Sequence, residues 1–293
     1  MPNRTAFELR LTMHHIYLSP HLDDAVYSCG GRMFRQRRED EPVTVVNFLS
    51  GTPPEGELSA FARQYHEMWG NPSNAVALRR QEDIEALSRW GIQAIYWDSS
   101  DAIYRQIHGT PLYPNISSLF GTPHPEDERE LLTCWNETWA RLRFSPEQVH
   151  MYAPLGAGNH VDHVLVRKFA QQLKRQGWRV WFYEDFPHAY DSRTLQEALD
   201  GFGNVRWKSH TELIDAEEKV KAMWIYASQI SMMFSDREDL RKRVKDFSAE
   251  RAVDIHWGER LRKILAGSGG RRERIWRRLF GYLAHAERYW SYE

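Results

Sequence analysis

Cysteine is scarce in this 293-residue chain, which has only Cys29 and Cys134. Two thiols so far apart make neither a disulfide framework nor a zinc-knuckle spacing, so both read as packed thiols of a protein kept in a reducing compartment, and a cytoplasmic location is expected. Long apolar runs are also missing. None approaches the roughly 20 residues that would cross a bilayer, and residues 1–11, interrupted by Arg4, Glu8 and Arg10, lack the apolar stretch of a secretory signal. Charge of one sign is not in excess: 39 basic and 40 acidic residues leave a formal net charge of -1, which gives no pull toward nucleic acid or an anionic membrane. There is no internal repeat, no low-complexity tract and no Gly-x-Gly-x-x-Gly after a strand, so a dinucleotide-binding fingerprint is excluded. What remains is 42% hydrophobic and 13% aromatic residues with twelve tryptophans, the composition of a globular protein long enough for one large or two small α/β domains.

The first two thirds alternate short β-branched or apolar runs with helix-period segments. Residues 15–19 read as a strand and 25–38 as a helix with Arg35, Arg37 and Arg38 at its C-terminal end, where they suit the helix dipole. Strand 43–50, helix 75–90 closed by Gly91, and strand 92–97 follow. Residues 98–125 read as a long loop, which inside a compact domain is usually functional. Helix 126–143, strand 149–153, helix 161–176 and strand 178–183 complete the pattern. Repeated β-α-β connections imply a Rossmann-like, mostly parallel sheet with helices on both faces. The last third reads differently: a strand at 205–209, then helices at 215–234, 237–252 and 271–290, the last behind the glycines of 267–270. We therefore expect a single domain over residues 1–293, with a core at about 12–210 and a helical C-terminal part at about 211–293. The arginine-rich stretch 271–278 carries an apolar stripe and reads as the solvated face of a packed helix rather than a nucleic-acid contact.

Two segments carry the chemistry. His21-Leu22-Asp23-Asp24 and His160-Val161-Asp162-His163 each follow a strand-like run, so both fall at the sheet edge where open α/β folds bind ligands. His21 and Asp24 can hold one ion, and His163 can arrive from the second strand end as a third ligand, leaving a position for water. Asp23 and His160 are then unassigned. A hydrolase needs two such groups, a carboxylate to take a proton from the activated water and a histidine to assist the other side of the reaction. Asp23 also suits a plain helix cap. Asp162 fits a partner that fixes a histidine tautomer, and Glu184 and Asp185, at the end of strand 178–183, stand near the same edge, as site residues or as solvated loop carboxylates. His and Asp ligands suit Zn2+ and also admit Fe2+.

The pair of motifs resembles the PIG-L or LmbE-like family of zinc-dependent de-N-acetylases, whose signature is His-x-Asp-Asp at the first strand and His-x-x-His much later. Further matches are Cys29-Gly30-Gly31, Arg79-Arg80-Gln81-Glu82-Asp83, Asp101 to Arg105, Lys219 with Tyr226-Ala227-Ser228-Gln229, and Glu287-Arg288-Tyr289-Trp290. The resemblance implies zinc on His21, Asp24 and His163, Asp23 as general base, His160 as electrophilic or acid assistance, and Arg80 and Asp101 directed at the sugar. It implies a metal-dependent hydrolase that removes an N-acetyl group from an N-acetylglucosamine-type sugar or small amino-sugar conjugate. A non-catalytic sugar-binding α/β protein and a deacylase acting on an antibiotic or lipid-linked sugar are the competing readings. The chain departs from the family at Leu22, a common proline, at Ala25, a common glutamate, and at Gly158, where some members carry tyrosine. Its expected partner is a small-molecule substrate, and the sequence leaves open whether it forms a homo-oligomer.

Overall fold

A computed structural model describes residues 13–53, 55–70, 74–256 and 284–293. The central sheet is built from β1 (His14–Ser19), β2 (Val43–Asn47), β3 (Gln93–Tyr96), β6 (Val149–Pro154), β7 (Arg179–Tyr183), β8 (Trp207–Leu213) and β9 (Ala286–Tyr292), in the order β3-β2-β1-β6-β7-β9-β8. β3, β2, β1, β6 and β7 are parallel neighbours, and β9 joins antiparallel to both β7 and β8. β2 is buried along its whole length. Such continuously buried strands arise because crossover helices cover both faces of a parallel sheet.

The chain runs outward from β1 to β2 and β3, then returns to β6 on the other side of β1. The β1/β6 boundary is therefore the point where strand order reverses, and a crevice opens there beyond the carboxyl ends of the strands. Helices α1 (Asp24–Arg38) and α6 (Val161–Arg175) start at that crevice, directly after β1 and β6. Also around the sheet are α2 (Ala60–Met68), α3 (Ala75–Ser88) and α5 (Pro125–Arg141). The larger hydrophobic cluster runs from Ile16 on β1 to Tyr289 on β9, and a smaller one gathers Ala62, Trp69, Ala102, Tyr104, Leu119 and Val161 near the crevice.

The long loop at 98–125 is partly ordered structure: a short hairpin of β4 (Gln106–Ile107) and β5 (Thr110–Pro111), then the one-turn helix α4 (Ile116–Leu119) capped by Asn115. α2 and α7 (Ser192–Asp200) were not expected from the sequence. The helix read at 215–234 is two helices, α8 (Ala216–Met223) and α9 (Ala227–Met233), and α10 (Arg237–His256) follows. The helix expected at 271–290 is corrected at its end: residues from Ala286 form β9, whose backbone groups pair with β8 and β7 instead of with their own chain. The glycines at 267–270 and the basic stretch 271–278 lie outside the described residues, as do residues 1–11. Among the described residues, no helix is long and apolar enough to cross a membrane.

Candidate metal centre at the switch point

Ser19 ends β1 and organises the first motif. Its hydroxyl donates to the His21 carbonyl (2.6 Å) and accepts the Ala25 amide (3.0 Å), so it does the capping of α1. Asp23 occupies the N-cap position, yet its side chain makes no capping hydrogen bond. The capping alternative for Asp23 therefore fails, and its carboxylate is left facing the crevice charges. It lies 3.9 Å from the Arg79 guanidinium.

His21, Asp24 and His163 converge. Oδ2 of Asp24 lies 3.2 Å from Nδ1 of His21 and 3.3 Å from Nε2 of His163. One ligand atom from each lies within 4.8 Å of the others. The outward nitrogens are fixed by carboxylates. Nε2 of His21 donates to Asp162 (2.9 Å), and Nδ1 of His163 donates to Asp185 (2.7 Å). Asp185 is itself held by the backbone amides of Gly156 (2.8 Å) and Ala157 (3.0 Å). Fully buried Asp162 accepts from Arg105 (2.6 Å) and the Ala102 amide (3.1 Å), and Arg105 continues to Asp127. The long loop thus reaches the centre through a buried arginine.

A second set, His21 with His160 and Asp162, is also close enough to share an ion. Asp162 already spends its oxygens on His21, Arg105 and Ala102, so this set is the weaker metal candidate. His160 caps α6: the Asp162 amide donates to its Nδ1 (3.2 Å). In the neutral ring the proton then sits on Nε2. Burial pushes the His160 pKa well down, and the neighbouring His21 and His163 act in the same direction, against Asp162.

The carboxylates divide in the same way. Burial, reinforced by Asp24, raises Asp23 to about 6 against the pull of Arg79. Asp24 is held well below its usual range despite burial, because His163 and His21 stand beside it. His163 resists the lowering effect of burial through Asp24 and Asp185 and rises to about 10. Adjacent carboxylates with opposed shifts are the pattern that separates a proton-transfer group from a ligand.

Asp101 stands at the edge of the cluster. Its carboxylate is 3.6 Å from His21 and 3.7 Å from Arg79. Arg80 does not join the cluster: it donates to the Ser50 carbonyl and lies over the Tyr96 ring. Its neighbour Arg79 faces Asp23 and Asp101 instead, with Trp69 stacked on its guanidinium at 4.7 Å. Helical phase explains the correction, since Arg79 shares a buried face with Val76, Glu82 and Asp83. Glu184 is corrected likewise. It pairs with Arg251 (2.7 Å), Arg288 (2.5 Å) and the Trp290 indole (2.9 Å), which ties β7 to α10 and β9, whereas Asp185 turns to His163.

The fold and this cluster define an α/β protein with a His/Asp centre at its switch point. The chain belongs to the GlcNAc-PI de-N-acetylase (PIG-L) family, whose model matches residues 16–174. It is 31% identical over 188 residues to a 2'-N-acetylparomamine deacetylase of Niallia circulans, covering 59% of this chain and 66% of that one. To the protein of the same name in Streptomyces fradiae it is 27% identical over 94% of this chain and 93% of the relative. In fold it is similar to the zinc-inhibited form of a teicoplanin deacetylase, with a TM-score of 0.70, 20% identity, and coverage of 96% and 98% of the two chains.

Proposed function

We propose that the protein is a divalent-metal-dependent hydrolase that removes the acetyl group from an N-acetylated amino sugar, of the glucosamine or paromamine kind acted on by its relatives. The observation that carries this reading is the paired geometry of His21 and His163. Each presents one nitrogen to Asp24 and has the other fixed by a separate carboxylate. Separations of 3.2 and 3.3 Å suit adjacent ligands of a tetrahedral ion, for which bonds of about 2.0–2.1 Å require edges of about 3.4 Å. Carboxylates behind metal-binding histidines are the usual supporting pattern. His21, Asp24 and His163 would hold the ion, Zn2+ with Fe2+ as the alternative, and the ion would supply Lewis-acid activation of water and of the amide carbonyl.

Asp23, adjacent to Asp24 and raised toward neutrality, accepts the proton of the attacking water and returns it to the leaving amine. His160, neutral with Nε2–H outward, donates a hydrogen bond to the developing oxyanion. A proton donor's role is the less favoured one for His160, because its low pKa leaves no second proton to give. Arg79 and Asp101 bind hydroxyls of the acetylated ring, and Asp162 and Asp185 orient the two histidines; Cys29 is packed as expected, whereas Cys134, expected to be packed, is an exposed free thiol, which suits a cytoplasmic setting. The non-catalytic sugar-binding alternative leaves Asp23, whose carboxylate caps nothing, without a purpose.

Acetate release from N-acetylglucosamine and 2'-N-acetylparomamine tests the reading, measured after chelation and again after Zn2+ or Fe2+ is restored. Release that disappears and returns with the metal is expected. His163→Ala should fail to retain metal by elemental analysis. A metal-replete protein that frees acetate from neither substrate would overturn the reading.

A further inference from the structure

Phe120 and His188 flank the centre and take no part in the chemistry above. Phe120 sits just after α4, with its backbone bridged to that of His160. Its ring stands edge-on to His160 at 5.3 Å and to His188 at 6.1 Å, and it remains 39% exposed. His188 lies in the turn after β7, three residues past Asp185, and its ring is 6.0 Å from that of His163. The turn is anchored: the Ala189 amide donates to the Asp185 carbonyl (2.7 Å), and the Thr194 hydroxyl donates to the His188 carbonyl (2.5 Å).

Gly158 makes room for this imidazole. Its φ of +83° already favours glycine, and a Cβ there would come within 3.1 Å of His188 Nδ1. The turn therefore holds the ring in space that a side chain at position 158 would invade. Among the described residues, neither ring nitrogen of His188 makes a hydrogen bond to the protein. A polar group held in position beside a reactive centre with no internal partner is one a ligand can satisfy.

Phe120 and His188 stand against the His160 and His163 rings, whereas Arg79 stands against Asp23, Asp101 and Trp69. An acetylated ring resting on Arg79 and Asp101 leaves the partly exposed Phe120 ring and His188, beside His160 and His163, for the remainder of the substrate. We infer that Phe120 and His188 form an outer subsite for a second, hydroxyl- or amine-bearing ring of the substrate, with Phe120 stacking on its C–H face and His188 hydrogen-bonding its polar substituents. The inference rests on the proposed deacetylase reading and assigns that site a preference for ring-bearing glycosides over simple ones.

The test compares three N-acetylglucosaminides that differ only in the aglycone: methyl, cyclohexyl and polyhydroxylated cyclohexyl. In the metal-loaded wild type, kcat/KM should rise in that order. Phe120→Ala should reduce the cyclohexyl-over-methyl preference by about fivefold to tenfold, chiefly through KM, the scale expected for a lost stacking contact. Phe120→Tyr should restore it. His188→Ala should instead reduce the preference for the hydroxylated ring over cyclohexyl, with His188→Asn recovering part of it. Equal losses on all three glycosides, or losses confined to kcat, would overturn the subsite and leave the deacetylase reading standing. Calorimetric binding of the corresponding free amines reads the same preferences without turnover, so a wild type that releases no acetate would defeat the deacetylase reading alone. Uniform affinities for the three amines would defeat the subsite.

Discussion

Two clusters of buried charge meet helix α1, one at its first turn and one along its middle, and they follow different rules. Along the middle, Lys219 of α8 donates to Glu287 of β9 (2.8 Å) and to the Ser28 carbonyl (3.0 Å). Glu287 also accepts the amides of Gly31 and Arg32 (both 3.0 Å) and the Tyr289 hydroxyl (2.8 Å). Lys219 and Glu287 are thus matched in charge, and both carboxylate oxygens of Glu287 are hydrogen-bonded. At the first turn, Asp23, Asp24, Asp101, Asp162 and Asp185 crowd around two histidines, and the ion pairs that permanent cations make with them come from Arg79, to Asp23 and Asp101, and Arg105, to Asp162. Burial of charge is common to both clusters. What separates them is that the second keeps a surplus of carboxylate oxygen that a cation would balance, the kind of imbalance expected of a working site.

The largest effect should come from breaking the balanced cluster. Lys219→Ala leaves Glu287 charged and unpaired in a dry interior, which costs about 3–5 kcal/mol in comparable pairs. Denaturant unfolding should show that loss, while the folded fraction keeps its full complement of metal. Loss of metal from folded Lys219→Ala protein would mean that the two clusters are coupled and that the contrast is wrong. Asp23→Asn probes the other cluster. It should leave stability and metal content close to the wild type and lower turnover about a hundredfold, the scale of a lost general base. Unchanged turnover in metal-replete Asp23→Asn protein would place the proton transfer elsewhere.

The same contrast accounts for what could be read from the sequence. His21, Asp23, Asp24, His160 and His163 were legible because each trio or pair is packed into four residues a short turn after an apolar run, and strand ends at a switch point bring two such segments together. The parallel strands and their helices were legible from their periods. The choice of Arg79 over Arg80 and of Asp185 over Glu184 was not, because each pair offers two neighbours of like chemistry. Neighbours on a helix diverge by about 100° and neighbours on an extended chain by about 180°, so only packing decides which one meets the site. β9 was hidden for another reason. Its pairing partners, β8 and β7, lie more than 70 residues away in the chain, and nothing local in Ala286–Tyr292 announces that pairing. α2, which brings the sequence up to Trp69 and its stack on Arg79, was masked by the turn residues on either side of it.

The adjacent pair Glu184 and Asp185 offers the smallest and sharpest test, because two carboxylates one residue apart belong to the two different kinds of cluster. Glu184 is matched by Arg251, Arg288 and Trp290, so Glu184→Gln should lower stability while leaving metal affinity close to the wild type. Asp185 fixes the His163 ring from behind and is held in turn by two backbone amides. Asp185→Asn keeps the shape and can still accept a hydrogen bond, but it removes the negative charge that makes His163 a stronger donor to a cation. Metal affinity should fall about 10- to 100-fold, the usual cost of losing such a support. Competition with a chelator of known affinity measures this in both variants. Equal metal affinities in the two would show that Asp185, like Glu184, serves only to hold the fold together.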